Sequence, residues 1–137
     1  MDQIEITRPD DWHLHLRDGS MLTSTVPPSA SVFRRAIIMP NLKPPVTTLG
    51  LAEAYYERIL GAAPGDSDFQ PLMTLYLTDE TTPDEIQAAA DSGLVFGCKL
   101  YPAGATTHSD SGVRDPGQID HLYAALQRAG LPLLVHG

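Results

Sequence analysis

The chain of 137 residues is 42% hydrophobic and 19% charged, with 11 glycines, 12 prolines and one cysteine, an ordinary globular composition large enough for one core. Nine Lys and Arg against 17 Asp and Glu leave a net charge of -8, the wrong sign for a surface that binds nucleic acid or an anionic membrane. Cys98 has no internal disulfide partner, the start MDQIEITRPD lacks the basic and apolar segments of a secretory leader, and no apolar run approaches the roughly 18 residues of a membrane span; the expected setting is cytoplasmic.

Short β-like runs alternate with helix-like ones, without an internal repeat or a low-complexity tract. Residues 4–6 are a candidate short strand, and the main predicted strands follow at 11–16, 35–41, 70–77, 95–101 and 131–136, each apolar-rich and bounded by Gly, Pro or polar residues. The uncharged stretch 19–33 is broken by Ser, Thr and Pro. Helical spacing covers 48–60, 83–92 and 116–128. Thr82 before Pro83 reads as an N-cap followed by proline at the first helical position, with Glu85 completing a capping box. Gly93 and Gly130 stand where helix ends favour glycine. From His15 to His136, two predicted strand ends, the chain runs 121 residues over four intervals, about 30 per unit, which matches the repeat of a (β/α)8 barrel. A doubly wound sheet is the alternative, but no Gly-rich phosphate loop follows the first strand. The predicted fold is therefore α/β, one domain over 1–137 that forms the N-terminal, five-stranded part of a TIM-type barrel, because a closed barrel needs about 200 residues or more.

The strongest local signal is Trp12-His13-Leu14-His15-Leu16-Arg17-Asp18-Gly19. Strand alternation puts His13 and His15 on one face and Leu14 and Leu16 on the other. Two imidazoles on one face suit a metal ion; two partly exposed histidines on a sheet are the plain alternative. Arg17 falls on the same face and is a candidate clamp for a substrate carboxylate. Lys99 interrupts the apolar run 95–101, where an unpaired ammonium is costly to bury. It is either a lysine at an exposed strand end, a Schiff-base lysine, or a metal ligand. An ammonium with a pKa of about 10.4 does not coordinate metal, but its reaction with carbon dioxide gives an anionic carbamate with two oxygens. His136 and Asn41 lie at predicted strand ends, where barrel enzymes place their chemistry. His121, on an amphipathic helix, is expected to face solvent, and His108 to lie in a polar loop.

Together, HLHLRDG (13–19), MPNLKPPVTT (39–48), PLMTLYLTD (71–79), KLYPAGATT (99–107) and LVHG (134–137) resemble dihydroorotase of the bacterial and yeast type, within the amidohydrolase superfamily. The resemblance runs over essentially the whole chain. It implies a pyrimidine-biosynthetic enzyme that interconverts N-carbamoyl-L-aspartate and L-dihydroorotate, homodimeric when complete. It also implies two zinc ions per complete site, with His13 and His15 on one, His136 on the other, and a catalytic, N6-carboxylated Lys99 bridging them. Arg17, Asn41, His136 and the chain from His15 through Leu16 to Arg17 correspond to substrate-binding positions. Residues 103–112, with Thr106 and Thr107, correspond to a mobile loop that closes over substrate. The family's last histidine ligand and its aspartate general acid/base have no counterpart in these residues, and Asp18 belongs to the HLHLRDG turn rather than to that role. Competing readings are another cyclic amidohydrolase such as hydantoinase or allantoinase, a Schiff-base aldolase, and a noncatalytic fragment or interaction module.

Overall fold

The computed structural model describes residues 2–137. Five strands, β1 (Asp11–Leu14), β2 (Arg35–Ile38), β3 (Gln70–Tyr76), β4 (Val95–Leu100) and β5 (Leu133–Val135), are all parallel and lie side by side in sequence order. Four helices connect them: α1 (Leu22–Val32), α2 (Leu49–Ala62), α3 (Pro83–Asp91) and α4 (Asp120–Ala129). A doubly wound sheet reverses its strand order at a switch point. No reversal occurs among the described strands, so the architecture is that of successive units of a (β/α)8 barrel. No helix among the described residues is long and apolar enough to cross a membrane.

Strand alternation divides the buried residues between two faces. Ala36, Ile38, Met73, Leu75, Cys98 and Leu100 join Val26, Tyr55, Ile59, Ile86 and Leu122 of the helices in one hydrophobic cluster. Met39, Tyr76 and Tyr101 are equally buried but lie outside that cluster, because they belong to the opposite face, which in a barrel points inward. The predicted strands hold their places but are shorter than expected, each giving way to irregular backbone at the C-terminal end, where the candidate site residues begin.

Two sequence expectations need correction, and one helix was not foreseen. Residues 4–6 form no strand, and Ile4 and Ile6 are largely exposed; two apolar residues without a pairing neighbour do not make a ladder. The stretch broken by Ser, Thr and Pro contains a full helix, α1, which buries Leu22, Val26 and Ala30 at four-residue spacing despite Pro27 and Pro28 inside it. Proline removes a backbone donor from the ladder. Hydroxyls along the helix also donate to nearby carbonyls, Thr25 to Leu16 and Met21, Ser29 to Thr25, and Ser31 to Pro28. Finally, Thr82 caps α3 by accepting from the Glu85 N–H at 3.2 Å, but the Glu85 carboxylate does not close the capping box. It accepts from the Leu49 N–H at the first turn of α2, so it ties two helices together and adds negative charge at the N-terminus of one of them. Gly130 behaves as expected, ending α4 at a φ of 69°, a conformation that costs glycine little.

Candidate functional site

The site begins where β1 ends. His13 and His15 project from the same face, their ring centroids 5.0 Å apart and their Nε2 atoms separated by 3.1 Å. Burial holds both imidazoles below the ordinary histidine value; the Lys99 charge adds to this at His13, and the charges of His13 and Arg17 add to it at His15. Both rings are therefore kept neutral, the form that offers a lone pair. Two nitrogens on a tetrahedral ion, each about 2.0–2.1 Å from it, lie about 3.3–3.4 Å apart, so the observed pair fits one divalent cation. Among the described residues no three His, Cys, Asp or Glu side chains gather closely enough to hold a metal. Among the described residues, Lys99 is the buried residue whose charge reaches both histidines.

After Leu14 the chain leaves the strand, so Arg17 does not continue the His13–His15 alternation as expected. It adopts a left-handed conformation, φ 62°, which is uncommon for a residue with a side chain. Three contacts hold this turn. The Tyr55 hydroxyl donates to the Arg17 carbonyl at 2.5 Å, the Asp18 carboxylate accepts from the Gly19 N–H at 2.8 Å, and Arg58 grips Asp18 through two bonds of 2.9 and 2.8 Å. The Arg58 guanidinium keeps the Asp18 carboxyl below its usual range. Asp18 is thus a structural anchor. Leu16 turns its side chain into the core and its carbonyl to Thr25, so its side chain takes no part in the site. Tyr55→Phe is expected to destabilise the protein by about 1–3 kcal/mol, because it strands a buried carbonyl; an unchanged denaturant midpoint would show that the turn does not depend on this bond.

Lys99 is 2% exposed and its Nζ donates to the Val135 carbonyl at 3.3 Å, which excludes the reading of a lysine at an exposed strand end. Burial lowers its affinity for a proton. The ammonium stands 5.3 Å over the ring of Tyr101, which stacks on Tyr76 at 4.9 Å and meets the His136 ring at 5.5 Å. Burial pushes the Tyr101 hydroxyl up to about 12, with Tyr76 adding to the rise and Arg17 opposing it. The backbone N–H of His136 donates to the Leu100 carbonyl at 3.1 Å, and its ring lies near enough for its charge to be felt at His13.

Asn41, 3% exposed, does not present a free amide. Its Nδ2 donates to the Thr107 carbonyl at 3.0 Å, while its backbone carbonyl pairs with His108 Nδ1 at 3.2 Å. Tyr76 adds a 3.3 Å bond to the His108 carbonyl. Thr107 and His108, the latter at φ 58°, are therefore latched onto β2 and β3, and His108, expected to be an ordinary loop residue, is part of the latch. Thr106 is held within the loop by bonds to and from the Ser109 hydroxyl. The loop's neck closes through Val113 N–H to Tyr101 and Ala103 N–H to Val113. Gly112 packs against the Tyr101 carbonyl so tightly that a Cβ there would collide with it. His121 is exposed, as expected.

The structure thus brings His13, His15, Lys99 and His136 to one end of the sheet with Arg17 and Asn41 beside them, and leaves Leu16 in the core. The sequence reading missed Tyr76, Tyr101 and His108. Tyr101 was within reach, since it follows Lys99 by two positions and shares its strand face.

No family model matches the chain. A curated dihydroorotase from Halorhodospira halophila is 61% identical over all 137 residues, which make up 40% of that protein. The chain is dihydroorotase-like from end to end. It spans about two-fifths of the length of the curated relatives it matches. The crystal structure of dihydroorotase from Campylobacter jejuni superposes on this dihydroorotase-like chain with a TM-score of 0.87 at 45% identity, covering 95% of the chain and 38% of that structure. Dihydroorotase from Saccharomyces cerevisiae in complex with 5-fluoroorotic acid gives 0.83 at 39% identity, covering 93% and 35%. L-hydantoinase from Arthrobacter aurescens shares the fold alone, with a TM-score of 0.71 at 18% identity over 93% of the chain and 28% of that structure.

Proposed function

We propose that the full-length protein is a metal-dependent cyclic amide hydrolase that interconverts N-carbamoyl-L-aspartate and L-dihydroorotate. The observation that carries the reading is the pairing of His13 and His15 beside a buried Lys99, in a chain 61% identical to a dihydroorotase. In this reading His13 and His15 would hold one zinc ion, His136 would serve a second, and Lys99, carboxylated on its amine, would supply anionic oxygens to both. A cation bound there supplies Lewis acidity and activates water. The protein's own part is to keep the imidazoles neutral and to lower the proton affinity of Lys99, because only an unprotonated amine attacks carbon dioxide; that attack forms a C–N bond and releases one proton. Arg17 supplies charge and a planar fork to the substrate carboxylate. Asn41 joins it once its amide exchanges the Thr107 carbonyl for substrate, which couples substrate binding to the loop carrying Thr106 and Thr107. The relative bound to 5-fluoroorotic acid supports a carboxylate-bearing pyrimidine as the ligand class. A homodimer in the cytoplasm completes the proposal, and the net charge of -8 disfavours nucleic acid and anionic membranes as partners.

The test is turnover of dihydroorotate, hydantoin and allantoin by the full-length protein before and after chelation. The expected result is hydrolysis of dihydroorotate alone, lost with the metal and restored by zinc. Faster turnover of hydantoin, or indifference to chelation, would overturn the assignment.

A further inference from the structure

Among the described residues, two buried side-chain polar atoms have no hydrogen-bond partner: Arg17 Nη1 and Tyr101 Oη. Buried polar groups are almost always paired, and one that is not calls for a physical reason. These two come from separate parts of the chain, the turn after β1 and the end of β4, yet the Arg17 charge acts on the Tyr101 hydroxyl.

A guanidinium can only donate hydrogen bonds. The Tyr101 phenol, buried and without a partner, also has a proton to give. Neither group can easily turn away. The Tyr101 ring is stacked on Tyr76 and flanked by His136 and the Lys99 ammonium, and its backbone carbonyl is fixed by Val113 and hemmed in by Gly112. The Arg17 backbone is fixed by Tyr55. Two preset donors, one of them cationic, are best matched by an acceptor that carries negative charge, because hydrogen bonds to charged groups are the stronger ones.

We infer that Tyr101 is a substrate-contacting residue whose hydroxyl, together with Arg17 Nη1, forms a two-donor seat for a carboxylate of the ligand. The identity of that ligand rests on the function proposed above; the seat itself rests on the two unpaired donors. The hydroxyl adds directional discrimination that Arg17 alone does not give, since an amide or a hydroxyl in place of the carboxylate leaves the cationic donor poorly matched.

Tyr101→Phe in the full-length, metal-loaded protein removes the hydroxyl and keeps the stacked ring. The KM for N-carbamoyl-L-aspartate is expected to rise about 10-fold or more, with a smaller change in kcat. Without ligand, the variant should melt at the same temperature as the parent or higher, because it loses a buried hydroxyl that has no partner. A merely structural hydroxyl gives the reverse pattern, a lower melting temperature with an unchanged KM, and that result overturns the inference. Succinate serves as a second probe that is independent of turnover. At matched ionic strength it should raise the melting temperature of the parent more than that of Tyr101→Phe, and equal shifts also overturn the seat. If the parent does not turn over dihydroorotate while succinate still separates the two proteins, the proposed activity falls and the seat stands.

Discussion

Replacing His13 or His15 by alanine in the full-length protein is expected to strip metal from the site and bring turnover of dihydroorotate to background. Their Nε2 atoms lie 3.1 Å apart, so removing one leaves a single nitrogen of the pair. Losing an outer-shell partner of a metal ligand commonly costs about 10–100-fold in affinity or activity; losing a ligand itself should exceed this. The fold should survive, because His13 is exposed while the neighbouring Leu16 carries the burial. Metal analysis and a thermal melt therefore separate the two effects. Stoichiometric metal and full activity in either variant would remove the pair from the site.

The pH dependence of the same pair follows from its environment. Both imidazoles titrate below the usual histidine value, about 6.5. Protons compete with a cation for these nitrogens, and the lowered proton affinity moves that competition toward acid. Metal occupancy should thus hold through neutrality and fall only as the pH drops below about 6.5. In the metal-free protein the unfolded chain binds protons first, so stability contributed by the neutral pair is present above that pH and lost as the pH falls through the lowered values.

How much of this was readable in the sequence depends on how local the determining interaction is. His13 and His15 were legible because period-two alternation needs only one strand, and the barrel order because its signal is spacing along the chain. Thr82, Pro83 and Gly130 acted locally and did so as expected. The failures all involve a distant partner or a local rule that was outvoted. Proline chemistry argues against α1, but burial of Leu22, Val26 and Ala30 prevails. Glu85 carries the capping-box pattern, yet its carboxylate meets the start of a helix 36 positions away in sequence. Arg17 leaves the strand face because Tyr55 and Arg58, on α2, hold the turn from outside. Asn41 and His108 reveal their joint role only once a loop 67 residues distant folds back.

Lys99 is the residue on which structure and chemistry disagree most, and substituting it should separate them. An ammonium 2% exposed, with one carbonyl partner at 3.3 Å, is poorly compensated for leaving water, since a buried charge needs pairing as well as hydrogen bonds. Lys99→Met keeps much of the side-chain volume and removes that cost, so the variant is expected to be at least as stable as the parent. Activity should go the other way, falling by more than about 100-fold, because a thioether in place of the carboxylated amine supplies no anionic oxygens to the cations. Carboxylation makes a further demand: the parent should lose activity in buffer depleted of carbon dioxide and regain it with bicarbonate. In Lys99→Ala, where the side chain leaves space, small carboxylic acids should restore part of the activity by placing two oxygens where the carbamate stood. A Lys99→Met protein that is less stable than the parent but fully active would make the lysine a structural residue. Parent activity indifferent to carbon dioxide, together with a free amine between two bound metals in a high-resolution map, would rule out the carbamate and leave the bridging oxygens to some other group.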